Sequence, residues 1–241
     1  MEKPVLSKVS SFIPVPSCYG PYACRIIFNG IKKMHQSKVS SGRGRKRDGK
    51  SPGYSKGAAK REEILVGLMN ALAKGELRNP PLRAIGQALG VEPAHILYYF
   101  ESREDLMQAV IVRWDEGMVA KRDGEFGLDT YADAVAKNVS QRGVMHLYLA
   151  FAAEAVEPAH PAHEFIRLRF DRVRESLASA IRREQEEGTI AKTIDPDVEA
   201  RLLIALADGL QLQSLIDPDI DALRHVQTAI AQLRAPNPNG T

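Results

Sequence analysis

His95, Tyr98 and Tyr99 stand together in the segment Leu82–Leu106, with Ala94 beside them and Arg83 and Arg103 near its two ends. An imidazole or a phenol can hydrogen-bond a base edge or a phosphate oxygen, and a small apolar side chain can meet a thymine methyl group. Arg83, Lys60 and Arg103 carry the charges that pair with backbone phosphates. Such groups serve recognition of a polyanion. No nucleophile–base arrangement that would make a catalytic centre can be assembled from the chain. The plainer reading of His95 is solvated exposure. For Tyr99, next to Phe100, it is packing under the helix with the hydroxyl reaching a partner.

The elements that must position these groups are two short helices and a tight turn. Leu82, Ile85, Ala88 and Leu89 recur at helical spacing, which predicts one apolar face. Gly90 follows where a helix needs a residue tolerant of positive φ, and Val91 fills the angle after it. Pro93 suits the first position of the next helix, whose buried side is expected to be Ile96, Leu97 and Phe100. Ser102-Arg103-Glu104-Asp105 is a capping-box-like start for a third helix. A helix, a Gly-bearing turn and a helix place the second helix in a DNA major groove.

The charge distribution agrees. The net charge is only +3, but residues 1–61 hold fourteen Lys/Arg against Glu2 and Asp48, so +12 lies there and −9 in the remainder. A basic arm on an acidic body is expected to meet a polyanion. Arg43, Arg45, Lys46 and Arg47 form the arm's core, able to follow a backbone or enter a minor groove. The cysteines, Cys18 and Cys24, fit neither a redox motif nor a zinc site. No run of eighteen apolar residues occurs and no signal-peptide pattern opens the chain, so a cytoplasmic location without membrane attachment is expected.

Residues 1–57 read as a disordered extension and basic arm, and residues 236–241 as a tail. From Ala58 the pattern is helical throughout. Ile64, Leu65, Leu68 and Leu72 line a first helix ending near Gly75. The helix beginning at Ser102 carries Leu106, Val110, Ile111 and Trp114 to about Ala120. Further helices are expected near 129–140, 144–156, 162–187, 196–216 and 218–234, with no strand-like alternation. The fold class is all-α with about nine helices. A three-helix helix-turn-helix domain over 58–104 precedes a larger helical domain over 105–235.

KREEIL opening the first helix, LRAIGQALGV through the turn and YYFESREDL closing the recognition segment resemble the TetR family of transcriptional regulators. ARLLIALADGLQLQSLIDPDID resembles the penultimate helix of one common branch of it. The resemblance implies DNA binding by the N-terminal domain, a C-terminal domain for dimerisation and a small-molecule effector, and repression relieved by that effector. The chain departs from the family's usual residues at three places. Pro80-Pro81 replace a Ser or Thr, Glu92 replaces a Ser at the recognition-helix cap, and Leu97 stands where a tyrosine is frequent.

Within the larger domain, Trp114, Met118, Met145, Tyr148, Phe151 and Phe170 are candidate effector contacts, since pockets are mostly apolar with a few placed polar groups. The alternative for each is ordinary core. Leu202, Ala205, Leu206, Leu210 and Leu212, then Leu223, Val226, Ile230 and Leu233, offer apolar surface for a four-helix dimer bundle, unless it packs wholly within its own subunit. A dimer implies a near-palindromic operator. His160 and His163 lie in a Pro-broken loop and are expected to be loop histidines, with no metal or cofactor. The resulting expectation is a homodimeric, ligand-responsive repressor, not an enzyme, binding double-stranded DNA and released by a small, fairly apolar effector. The alternative is an effector-independent regulator with a filled core.

Overall fold

The structure is a computed structural model that describes residues 52–119 and 126–235, with side chains from 57 to 116 and from 126 onward. Arg43, Arg45, Lys46, Arg47 and the Met118 side chain lie outside what it describes. Among the described residues there are nine helices and no strands. They are α1 (Pro52–Ala73), α2 (Leu82–Leu89), α3 (Pro93–Tyr99), α4 (Arg103–Val119), α5 (Leu128–Ser140), α6 (Arg142–Glu154), α7 (His163–Glu186), α8 (Pro196–Ile216) and α9 (Ala222–Arg234).

Two boundaries differ from expectation. Helix α1 starts at Pro52, ahead of Ala58, because proline is at ease in a first turn and nothing before Gly75 stops the helix. Helix α9 starts at Ala222 rather than Pro218. Asp217 Oδ1 accepts from Asp219 N at 3.0 Å, a local turn that holds Pro218 outside the helix. Asp221 is the true cap, accepting from Arg224 N at 2.9 Å. Other starts match the capping logic. Ser102 Oγ accepts from Asp105 N at 3.1 Å, and Asp195 accepts from Asp197 N and Val198 N before Pro196.

The buried residues form two clusters. One joins Leu65, Leu68 and Leu72 of α1, Ile85 of α2, Ile96 of α3 and Trp114 of α4 to Leu147 and Phe151 of α6. The other joins α5, α7, α8 and α9 through Val135, Ile181, Leu203 and Val226. Helix α6 is held to the reading elements at both ends. At its start, a Cβ on Gly143 would lie 2.0 Å from the Leu72 carbonyl oxygen, so only glycine admits this approach of α6 to α1. At its end, Glu154 accepts from Asn79 Nδ2 at 2.7 Å and from Arg103 Nη1 at 3.2 Å. Partial burial would raise the Glu154 pKa, but the hydrogen bonds and charge of Asn79 and Arg103 hold it below the usual range.

Candidate nucleic-acid interface and interior polar cluster

Helices α2 and α3 meet across a turn that two glycines make possible. Gly90 takes φ 65° and ψ 31°, the left-handed region where a side chain is strained. Val91 N then donates back to Gly86 O at 2.9 Å. A Cβ on Gly86 would come within 2.5 Å of Val91 O and 3.3 Å of Pro93 Cδ, so this second glycine sets how closely α3 can start behind α2. Sequence reasoning placed Gly90 but missed Gly86. Its signal was a glycine on the inner face of an eight-residue helix, one turn before the cap.

On α3, Ile96 and Phe100 are buried, while Ala94, His95 and Tyr98 are exposed, Tyr98 at 80%. Two expected core positions are corrected. Leu97 is 44% exposed, because it lies one helical step, roughly 100°, from Ile96 and off the Ile96–Phe100 face. Ala88 of α2 is likewise exposed. Tyr99 is half-buried and packs edge-on against His95 (centroids 5.3 Å) and Tyr98 (4.9 Å), bracing both outward-facing rings.

The basic candidates separate. Arg83 is exposed on the first turn of α2. Lys60 is partly covered and paired with Glu63 at 2.6 Å. Arg103 is turned inward, which corrects its expected place on a phosphate. Its guanidinium donates to the Pro80 carbonyl at 3.0 Å, to Asn79 Oδ1 and to Glu154, leaving it 18% exposed. Pro80, which stands where the family often has a hydroxyl, thus supplies a carbonyl to hold α4. Arg61, not singled out from sequence, lies over the Phe100 ring at 4.3 Å.

The interior candidates with described side chains are covered. Trp114, Met145, Tyr148 and Phe151 are buried and Phe170 is half-buried. Trp114 and Tyr148 stand with ring centroids 6.3 Å apart. What sequence reasoning missed is the polar group around them. Arg169 of α7 makes a two-pronged pair with Asp115 of α4 (2.9 and 3.0 Å) and lies 4.4 Å over the Tyr148 ring. The Tyr148 hydroxyl donates to Asp208 of α8 at 3.3 Å. Burial pushes the Asp208 carboxyl up to about 6 against the pull of Arg169. It also holds the Tyr148 and Tyr131 hydroxyls well above the ordinary phenol range. Trp114 Nε1 is buried with no hydrogen-bond partner, an unusual state for an indole donor. The legible signal was Arg169 interrupting the apolar stripe Ile166, Phe170 and Val173. An open cleft of about 270 Å³ lies elsewhere, lined by Lys74, Arg78, Arg142 and His146, and none of the expected effector contacts with a described side chain borders it.

The dimer candidates also separate. Leu210, Val226 and Ile230 are buried in their own chain's core, and Leu206 and Leu223 pack against it, so the expected interface list is corrected. Leu202 is 56% exposed. With Val198, Ala205, Gly209, Leu212 and Ile216 it forms a stripe along α8 whose spacings alternate between four and three residues. That is the spacing of a helix–helix seam, whereas 202–206–210 winds into the core. His163 Nδ1 lies 2.9 Å from Ala155 O and His160 Nδ1 accepts from Ala162 N, so both serve the loop. Among the described residues no group of three or more His, Cys, Asp or Glu is placed to hold a metal, and no helix is long and apolar enough to cross a membrane.

Helix α2, the Gly90 turn and the outward-facing α3 form a helix-turn-helix, a motif that places its second helix in a DNA major groove. Residues 128–235 match the family model described as BetI-type transcriptional repressor, C-terminal. Over that span, which is less than half of the chain, the protein is similar to the C-terminal part of those repressors. Solved structures share the fold. A TetR transcription regulator from Haloarcula marismortui is 20% identical at a TM-score of 0.60, over 73% of this chain and 97% of that one. A TetR-family regulator from Agrobacterium tumefaciens is 16% identical at 0.60, over 74% and 100%. A protein from Saccharomonospora viridis, described as a transcriptional regulator and solved in complex with choline, is 22% identical at 0.55, over 73% and 95%. No curated protein matches the sequence.

Proposed function

We propose that the chain is a homodimeric, ligand-responsive transcriptional repressor that binds a near-palindromic operator and releases it when a small, fairly apolar effector enters the helical body. The observation that carries the proposal is the outward arc of α3, with His95 in its first turn and Tyr98 near its end both exposed, while Ile96 and Phe100 anchor the other side. Arg83, Lys60 and the arm residues Arg43, Arg45, Lys46 and Arg47 supply phosphate contacts in this reading, and Tyr99 braces the reading pair. The apolar stripe on α8 is the dimer seam, and the spacing of the two α3 helices follows from it.

The effector reading rests on the cluster at Trp114, Tyr148, Arg169 and Asp208. It touches α4, α6, α7 and α8, so a ligand that breaks the Asp115–Arg169 pair acts directly on the helix leading out of the reading head. A ligand shifts DNA affinity only by binding the two states unequally. The choline complex of the S. viridis protein shows a neighbour of this fold holding a small organic cation. The full burial of Met145 and Phe151 favours a second reading, an effector-independent regulator with a filled core.

The test is selection of bound sequences from random DNA, followed by titration of wild type and His95→Ala/Tyr98→Ala. Enrichment of a two-fold-related site is expected, with affinity falling at least tenfold in the variant at constant salt. A variant that binds the selected site as wild type does would sink the assignment of α3. Release of that site by a small amphipathic ligand separates the two effector readings.

A further inference from the structure

We infer that α3 reads thymine methyl groups in the major groove, with Leu97 as a specificity-determining residue. This rests on the DNA-binding reading above and adds the chemistry of what is read. At roughly 100° per residue, Leu97, Ala94, Tyr98 and His95 occupy successive positions on one continuous arc, opposite buried Ile96 and Phe100. Three neighbours on that arc present carbon, namely the Leu97 side chain at 44% exposure, the Ala94 methyl and the Tyr98 ring at 80%.

The composition of the helix argues against two-pronged readout of a purine. Guanine is read by the paired hydrogen bonds of Arg or Lys, and adenine by those of Asn or Gln. The sequence of α3 is PAHILYY, which contains none of the four. His95 and the Tyr98 hydroxyl can each give a single hydrogen bond. Thymine is the base whose major-groove edge carries a methyl group, so an apolar arc gains by covering it. Leucine at a position facing water gains nothing in the free protein; against a methyl group it loses exposed apolar surface. Tyr99 holds the two rings beside it and limits how far the arc can rearrange.

The experiment replaces thymine by deoxyuridine, which removes the methyl and leaves base pairing unchanged, one position at a time in the selected operator. The full chain is titrated at fixed salt by fluorescence anisotropy. One buried methyl corresponds to about a fourfold loss of affinity, and that loss is expected at one or more thymines in each half-site. Leu97→Ala should bind the thymine and uracil versions of the position it faces equally well. Because Leu97 is exposed, its truncation leaves the fold intact, checked by circular dichroism and thermal unfolding. Equal affinity for every uracil-substituted operator, or a selected half-site without thymine, overturns the inference while leaving DNA binding standing. Leu97→Ala that keeps the full methyl preference removes Leu97 from the role. Failure to enrich any sequence overturns the DNA-binding reading as well.

Discussion

Asp208 is the residue whose ionisation and burial are most at odds. Its pKa in the folded chain, about 6, lies above the ordinary value of 3.8. Between those two pH values the folded state binds more protons than the unfolded state, so this group's contribution to stability falls as pH rises through the window. Above it, the ionised carboxylate costs on the order of 3 kcal/mol. Asp208→Asn keeps an acceptor for Tyr148 without the charge. It is expected to raise unfolding free energy at pH 7.5, with the gain shrinking toward pH 4. Urea unfolding of both proteins across that range checks this, and a gain independent of pH would point to packing instead. Asp208 was invisible in the sequence because an Asp in a helix reads as surface. Only the approach of Tyr148 from α6 and Arg169 from α7 makes it interior. His95 and Tyr98 were legible because the residues around them follow local rules of turn and cap.

At the scale of elements, the α2–α3 turn depends on two glycines for different reasons. Gly90→Ala strains a left-handed backbone, at about 1–2 kcal/mol. Gly86→Ala drives a methyl into the Val91 carbonyl at 2.5 Å, backbone that cannot rotate away, with the Pro93 ring at 3.3 Å beside it. Gly86→Ala is therefore expected to destabilise more than Gly90→Ala in urea unfolding, and to abolish operator binding by moving α3. The reverse order would show that α2 and α3 can part at little cost. Helix boundaries were readable wherever one residue both stops and caps. Asp195 and Pro196 open α8 at its expected first residue. They misled at Pro218, where two aspartates four residues apart compete as caps and only the later one continues into helix. Leu97 was misjudged because hydrophobic identity was read without its angle on a seven-residue helix.

For the whole molecule, the α8 stripe governs assembly in the proposed dimer. Ala205 and Gly209 lie at its middle, and no atom stands within 4 Å of a Cβ built on Gly209. Two such helices can approach closely there, with Leu202 and Leu212 packing on either side. Leu202→Arg or Leu212→Arg is expected to give a monomer in sedimentation experiments. Thermal stability of wild type should rise with protein concentration, as mass action requires of a dimer, whereas that of the variant should not. A monomeric wild type would refute the seam. The all-helical fold was legible because nearly every stretch after Ala58 keeps one helical period. Which apolar residues face a partner and which face the core was not, because 202–206–210 and 202–205–209 differ by one residue per turn, and the neighbouring helices decide between them.

The contact of Gly143 with the Leu72 carbonyl has a mechanical meaning. It is backbone against backbone, so no side-chain rotamer can absorb a sideways displacement, and α1 cannot slide along α6. The opposite end of α6 is held by the long, rotatable side chains of Glu154, Arg103 and Asn79, which can lengthen or re-pair. One end of α6 is thus fixed by a contact that cannot give, and the other by contacts that can, so α6 grips α1 at Gly143 more stiffly than it grips Asn79 and Arg103 at Glu154.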